Sequence, residues 1–333
     1  MIRRTLPLLV VALAACVALA AGCGADDEPA TGSEPVRLIL DWFPNVDHAG
    51  IYGAVEEGYF ADEGLDVSPE VPSDPTAALK QVGAGRAPFA ISYAPEVLLA
   101  RSQGIPVVAV GALVTHPLNS VIARADRGIE GPADLEGRTV GVAGVPSDRP
   151  LLDAVVRAAG GDPARVRVRT IGYTLSPALA AGRVDAVIGA YWNVELVELE
   201  EQGVEVRAFR LEEHGVPDYD ELVVVTGDEV ARERPELVRA FLAGLRRGQD
   251  WAATDQGAAV EHLVAANEDL DAEVVARQLR LTAPLLSPAD GPTLGVDPAE
   301  WSAFADWMRD NGLLAEPVDV GAAVTDGFLP EDD

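Results

Sequence analysis

The chain has 333 residues, 25 basic side chains against 54 acidic ones, a formal net charge of −29, and two cysteines, Cys16 and Cys23. So negative a surface repels polyphosphate backbones and anionic lipid headgroups, which excludes a nucleic-acid role. With both cysteines near the N-terminus, a disulfide framework and a cysteine-built metal site are excluded for the rest of the chain.

The chain opens Met1-Ile2-Arg3-Arg4, followed by an apolar run from Leu6 to Ala21 and then Gly22-Cys23. A basic start, an apolar run too short to span a bilayer and a small-residue end make a secretory leader. Leu19-Ala20-Ala21-Gly22-Cys23 resembles a bacterial lipobox, with Ala20 where Leu is more usual. The resemblance implies residues 1–22 as a lipoprotein signal peptide and Cys23 as the lipidated first residue of the mature protein. Residues 23–35, rich in Gly, Ala, Asp, Glu and Pro, read as a flexible tether with no apolar period. The expected location is outside the cytoplasmic membrane, tied to its outer face by lipid alone.

Val36–Leu40 reads as a first strand, Ala49–Phe60 as a helix and Leu65–Val67 as a short strand. Ser73-Asp74-Pro75 is a helix start, with a capping side chain and a proline in the first turn, and the helix runs to about Ala84. Strand Phe89–Tyr93, helix Pro95–Gln103 and strands Pro106–Val114 and Asn119–Arg124 follow, then strand Thr139–Val142 and helix Ser147–Ala159. The alternation continues with strand Val166–Ile171, helix Ser176–Ala181, strand Ala186–Ala190 and helix Val194–Gln202, then strands Val204–Phe209 and Glu221–Thr226. Beyond Gly227 the pattern is helical over Ala231–Thr254, Gln256–Asn267, Ala272–Leu281 and Pro298–Asn311.

Strands alternating with helices argue for α/β lobes with parallel sheets. A second α/β run begins at Asn119–Arg124 and finishes near Glu221–Thr226. These two apolar strands are read as a pair of crossings between lobes, with the ligand cleft beside them. Residues 36–118 and 222–333 would form lobe 1, residues 119–221 lobe 2, and the C-terminal helices would return to lobe 1.

The densest chemistry lies in Leu40-Asp41-Trp42-Phe43-Pro44-Asn45-Val46-Asp47-His48-Ala49-Gly50, in a chain with only 5 Trp, 6 Tyr and 7 Phe. Flat rings beside hydrogen-bonding groups suit a planar heterocycle. Pro44 fixes its own φ and holds Phe43 extended. Trp42, Tyr93, Tyr191 and Trp192 can supply ring faces; Asp41, Asn45, Asn193 and Glu195 can supply acceptors and donors, and His48 a donor. Each set follows a strand, at the edge where open α/β sheets bind ligands. Asp41 and Asn45 could instead bond their own turn, His48 could cap it, Trp192 could anchor the next helix, and Glu195 could serve a helix N-terminus. Asp148, with Asp41 and Glu195, makes an anion a costly guest. Tyr173 is a further candidate for the cleft wall, while His116, His214 and His262 read as solvated.

Leu40–Asn45 with His48-Ala49-Gly50, Glu57-Gly58-Tyr59-Phe60, Ser92–Glu96, Pro117–Ser120, Asp134–Val142 and Tyr191-Trp192-Asn193-Val194-Glu195 resembles the SsuA/THI five-like solute-binding proteins, thiamine pyrimidine precursor branch. The resemblance implies the two-lobed type II periplasmic binding protein fold, and a monomer that delivers its solute to the permease and ATPase of an ABC importer. The implied solute is a hydroxymethyl- or formylaminomethyl-pyrimidine; riboflavin, or an anion such as a sulfonate, taurine or nitrate, is the alternative. A related pyrimidine synthase consumes its own active-site histidine and carries a cysteine-rich iron motif. Here His48 is the motif's histidine and the mature chain keeps Cys23 alone, so the expectation is a binding protein with no cofactor, no metal and no catalytic residue.

Overall fold

Ten strands form two five-stranded sheets in the computed structural model, which describes residues 32–289 and 291–330. The leader, Cys23 and most of the tether fall outside the described residues. The first sheet holds β1 (Glu34–Ile39), β2 (Leu65–Glu70), β3 (Phe89–Ser92), β4 (Val107–Val114) and β10 (Leu222–Gly227), in the order β2-β1-β3-β10-β4. The second holds β5 (Asn119–Arg124), β6 (Thr139–Val142), β7 (Arg167–Thr170), β8 (Ala186–Tyr191) and β9 (Val206–Arg210), in the order β7-β6-β8-β5-β9. This is the two-lobed α/β arrangement the sequence predicts.

The sheets are mixed, which corrects the expectation of parallel ones. β10 runs antiparallel between β3 and β4, and β5 antiparallel between β8 and β9. The same correction applies to the two crossing strands: β5 and β10 do not pair with each other but enter different sheets. The chain passes between lobes in the short segments before them, after Val114 and after Arg210. Glu34 and Pro35, read as tether, are already paired with Leu65 and Asp66.

All eight residues of β4 are buried, as its unbroken apolar sequence requires of a strand covered on both faces. On one side of the first sheet Phe89, Phe241 and Phe60 stack, with centroids 4.1 Å and 5.1 Å apart. In the second lobe the helix Asp148–Ala158 buries Leu151, Leu152, Val155 and Val156, the spacing of one helical face.

The helix expected over Ala231–Thr254 is two, Asp228–Glu233 and Pro235–Thr254, because Pro235 suits a first turn and cannot sit in a helix interior. The helix from Ala272 runs on to Leu286, taking Pro284 into its last turn. The Pro235–Thr254 helix packs on Ala49–Glu56, and a Cβ on Gly248 would lie 2.1 Å from the Gly50 carbonyl oxygen. Only glycine allows that approach, which seats the end of the 41–50 turn. The C-terminal helices return to the first lobe, although Ala272–Leu286 also touches Glu195–Glu201.

Candidate functional site

The turn after β1 is built by its own side chains. Asn45 accepts from the Asp47 N–H and caps the short helix Val46–His48, while its own N–H donates to His48 Nδ1 (3.3 Å). Nδ1 being the acceptor, the neutral ring carries its proton on Nε2 and donates to Asp41 Oδ1 at 2.9 Å. Tyr93 Oη donates to Asp41 Oδ2, also at 2.9 Å. Asp41 is therefore a buried hub that holds Tyr93 in place.

His48 is fully buried with both nitrogens engaged, one capping its own turn and the other bonded to Asp41. Asn193 is also fully buried; its Nδ2 donates to Asp47 Oδ1 (2.7 Å) and Thr282 Oγ1 (2.8 Å), tying three segments together. Trp192 donates from Nε1 to the Pro117 carbonyl and lies under the Arg210 guanidinium, 4.1 Å from its ring centroid. It is an anchor, the other of the two roles weighed for it. His116 pairs with Asp218 and Glu212, and His262 stacks on Trp251 and bonds Glu57, so neither is merely solvated.

Three chambers share walls, Tyr93 lining both the first and second and Trp42 both the second and third. The central one is lined by Trp42, Tyr93 and Tyr191, three of the four predicted aromatics, with Asn119, Asp148 and Glu221. It holds about 30 Å³, one water's worth and too little for a ring in this conformation. An inner chamber of about 190 Å³ lies beyond Tyr93, lined by Asp41, Glu96, Leu79, Leu99 and, at its rim, Lys80. An outer one of about 340 Å³ lies beyond Trp42, between Asn45, Tyr173 and Glu195.

Contacts between elements of the two sheets flank the chambers. Tyr173 meets Trp42 edge-on and donates to the Pro72 carbonyl at 3.1 Å. The Ser147 N–H donates to Glu96 Oε1 at 2.7 Å.

The carboxylates are electrostatically distinctive. Burial pushes Asp148 up to about 7 despite hydrogen bonds from the Gly144 and Val145 N–H groups. Burial likewise pushes Glu221 up to about 7, against the N–H groups of Asn119 and Leu118. Glu195 is raised by burial first and Glu198 second; its Oε2 accepts from the Tyr191 N–H at 2.7 Å, and it faces the outer chamber rather than the central one. The Tyr93 and Tyr191 hydroxyls are held well above their usual range by burial, then by the neighbouring Asp41 and Glu221 respectively. Among the described residues no Arg, Lys or His lines the central chamber.

Sequence reading missed Glu221. The available signal was an acidic stretch, Asp218-Tyr219-Asp220-Glu221, abutting an apolar strand: a carboxylate entering a buried sheet needs donors. Among the described residues no group of three His, Cys, Asp or Glu side chains is arranged to hold a metal ion.

Two α/β lobes with a cleft between mixed sheets define the architecture of periplasmic solute-binding proteins. The alkanesulfonate-binding protein SsuA from Xanthomonas axonopodis pv. citri, solved bound to MOPS, superposes with a TM-score of 0.71 at 18% identity, covering 89% of this chain and 99% of that one. The chain belongs to the NMT1/THI5 like family, whose model matches residues 45–259. A formylaminopyrimidine-binding protein of Halalkalibacterium halodurans is 36% identical over 97% of this chain and 98% of its own. A 4-amino-5-hydroxymethyl-2-methylpyrimidine phosphate synthase of Legionella pneumophila is 26% identical over 89% of this chain and 92% of its own.

Proposed function

We propose that this protein is the extracytoplasmic solute-binding component of an ABC importer and that its solute is a thiamine pyrimidine precursor of the hydroxymethyl or formylaminomethyl type. One observation carries the ligand class: the central chamber combines Trp42, Tyr93 and Tyr191 with the buried carboxylates Asp148 and Glu221, and among the described residues no cationic side chain lines it. A flat, amine-bearing ring gains stacking and acceptors there. A sulfonate or nitrate would face two carboxylates and meet no counter-charge. The relative named for formylaminopyrimidine binding supports the same ligand.

Binding rather than synthesis is the proposed role. The named binding protein is the more similar of the two relatives, and the sequence has no cysteine after Cys23 from which a cysteine-rich iron motif could be built. In this reading residues 34–118 and 222–333 form lobe 1 and residues 119–221 lobe 2, and the protein acts as a monomer anchored through Cys23. No helix among the described residues is long and apolar enough to cross a membrane.

Calorimetry of the leaderless protein with 4-amino-5-hydroxymethyl-2-methylpyrimidine, riboflavin, taurine and nitrate tests the reading. Pyrimidine binding is the expected result, and an anion binding in its place overturns it.

A further inference from the structure

Glu221 stands where ligand chamber and hinge meet. It is the last residue before β10, on the return passage into the first sheet. Its Oε2 accepts from the Leu118 N–H (2.9 Å), at the end of the outgoing passage, from the Asn119 N–H (3.0 Å), which opens β5, and from Tyr219 Oη (2.9 Å). The two passages share no backbone ladder in this region, so this oxygen is a direct tie between them. Its Oε1 takes one long hydrogen bond, 3.3 Å, from Tyr191 Oη. Glu221 also lines the central chamber beside Trp42 and Tyr93.

We infer that Glu221 is a specificity-determining residue that reads a hydrogen-bond donor on the ligand with Oε1 while Oε2 holds the hinge. The inference rests on the aminopyrimidine reading and deepens it: the preferred solute presents an exocyclic amine to Glu221, and a ring carrying a carbonyl at that position is rejected. A carboxylate only accepts, so a carbonyl oxygen facing it leaves two acceptors in contact in a buried site. Asp148, the other carboxylate of the chamber, belongs to the second lobe and spends Oδ2 on two backbone N–H groups. It touches neither passage in this way.

The Glu221→Gln change separates the two jobs. A glutamine can keep its oxygen towards the Leu118 and Asn119 N–H groups and turn its amide nitrogen to the chamber, replacing an acceptor by a donor. At pH 8, affinities for 4-amino-5-hydroxymethyl-2-methylpyrimidine and its 4-oxo counterpart are measured by calorimetry on wild type, Glu221→Gln and Tyr191→Phe. The expected result is a loss of at least tenfold for the amine in Glu221→Gln with the oxo compound unchanged or improved. Tyr191→Phe, which keeps the ring face and frees Oε1 of its protein donor, should raise the amine-to-oxo ratio. A parallel loss of both ligands in Glu221→Gln, or an unchanged ratio in both variants, overturns the inference while leaving the ligand class intact. A switch in Asp148→Asn that Glu221→Gln lacks overturns it too. Wild type that binds neither compound removes the ligand class, and this inference with it.

Discussion

Trp42 and Tyr173 meet edge to face, ring centroids 4.5 Å apart and planes at 81°, although one follows β1 of the first sheet and the other follows β7 of the second. Phe43 adds a second ring against Tyr173 at 4.9 Å. A geometry of this kind is worth about 0.5–1.5 kcal/mol beyond area burial, and it exists only while the lobes are together.

Tyr173 should therefore act on ligand release. Tyr173→Ala is expected to speed dissociation roughly tenfold, with tryptophan fluorescence in stopped flow as the readout. Tyr173→Phe removes only the hydroxyl bond to Pro72 and should change the rate by about threefold. Equal rates for wild type and Tyr173→Ala would remove Tyr173 from the closing contact.

Ring faces should dominate affinity at Trp42 and Tyr191. Alanine at either position is expected to weaken an aminopyrimidine roughly tenfold or more, and Trp42→Phe by only about threefold, because a π-face remains. Titration calorimetry checks both. Glu195→Gln, facing the outer chamber, should cost less than Asp148→Asn, and the reverse order would put the ligand beyond Trp42.

The alternation of elements and the position of the cleft were legible in the sequence because apolar runs and turn residues are local signals. Strand direction was not: β10 sits antiparallel between β3 and β4 through packing across more than a hundred residues. The site was legible by residue type and blurred by role. Trp42, Tyr93 and Tyr191 do face the central chamber, while His48 and Asn193 carry the same polar chemistry inward. Asn193 finds Asp47, 146 positions away, and no local pattern announces such a pair.

Acidification should stabilise the fold. Asp47, Asp148, Asp220 and Glu221 move from ordinary values of 3.8 or 4.5 to about 7, burial being the largest cause in each. Their stabilising contribution is complete below about pH 4 and is lost as pH rises through about 7. His116, raised from 6.5 to about 9 by the hydrogen bonds it donates to Asp218 and Glu212, adds a contribution complete below about pH 6.5 and lost through about 9. Melting temperature should fall in two stages between pH 5 and pH 10, with Asp148→Asn flattening the first and His116→Ala the second. A melting temperature that rises between pH 5 and pH 8 would contradict the assignment.

Packing stability should hinge on two positions in the Pro235–Thr254 helix. Phe241→Ala empties the centre of the Phe60–Phe89 stack and is expected to cost about 3–5 kcal/mol. Gly248→Ala drives a methyl into the Gly50 carbonyl and should destabilise by about 1–3 kcal/mol. Urea denaturation measures both.

Cys23→Ser should release the protein from the membrane fraction of a bacterium with lipoprotein processing. Identical partitioning of mutant and wild type would refute the anchor.

Lys80 is the only lysine in the chain, and its ammonium, bonded to Thr76 Oγ1 at 2.7 Å, stands exposed at the rim of the inner chamber. An amine-reactive dye added to the leaderless protein thus has a single lysine side chain to find, and that side chain is at the rim of the inner chamber. The rate of its acylation with and without solute turns opening and shutting into a chemical measurement, with no engineered label.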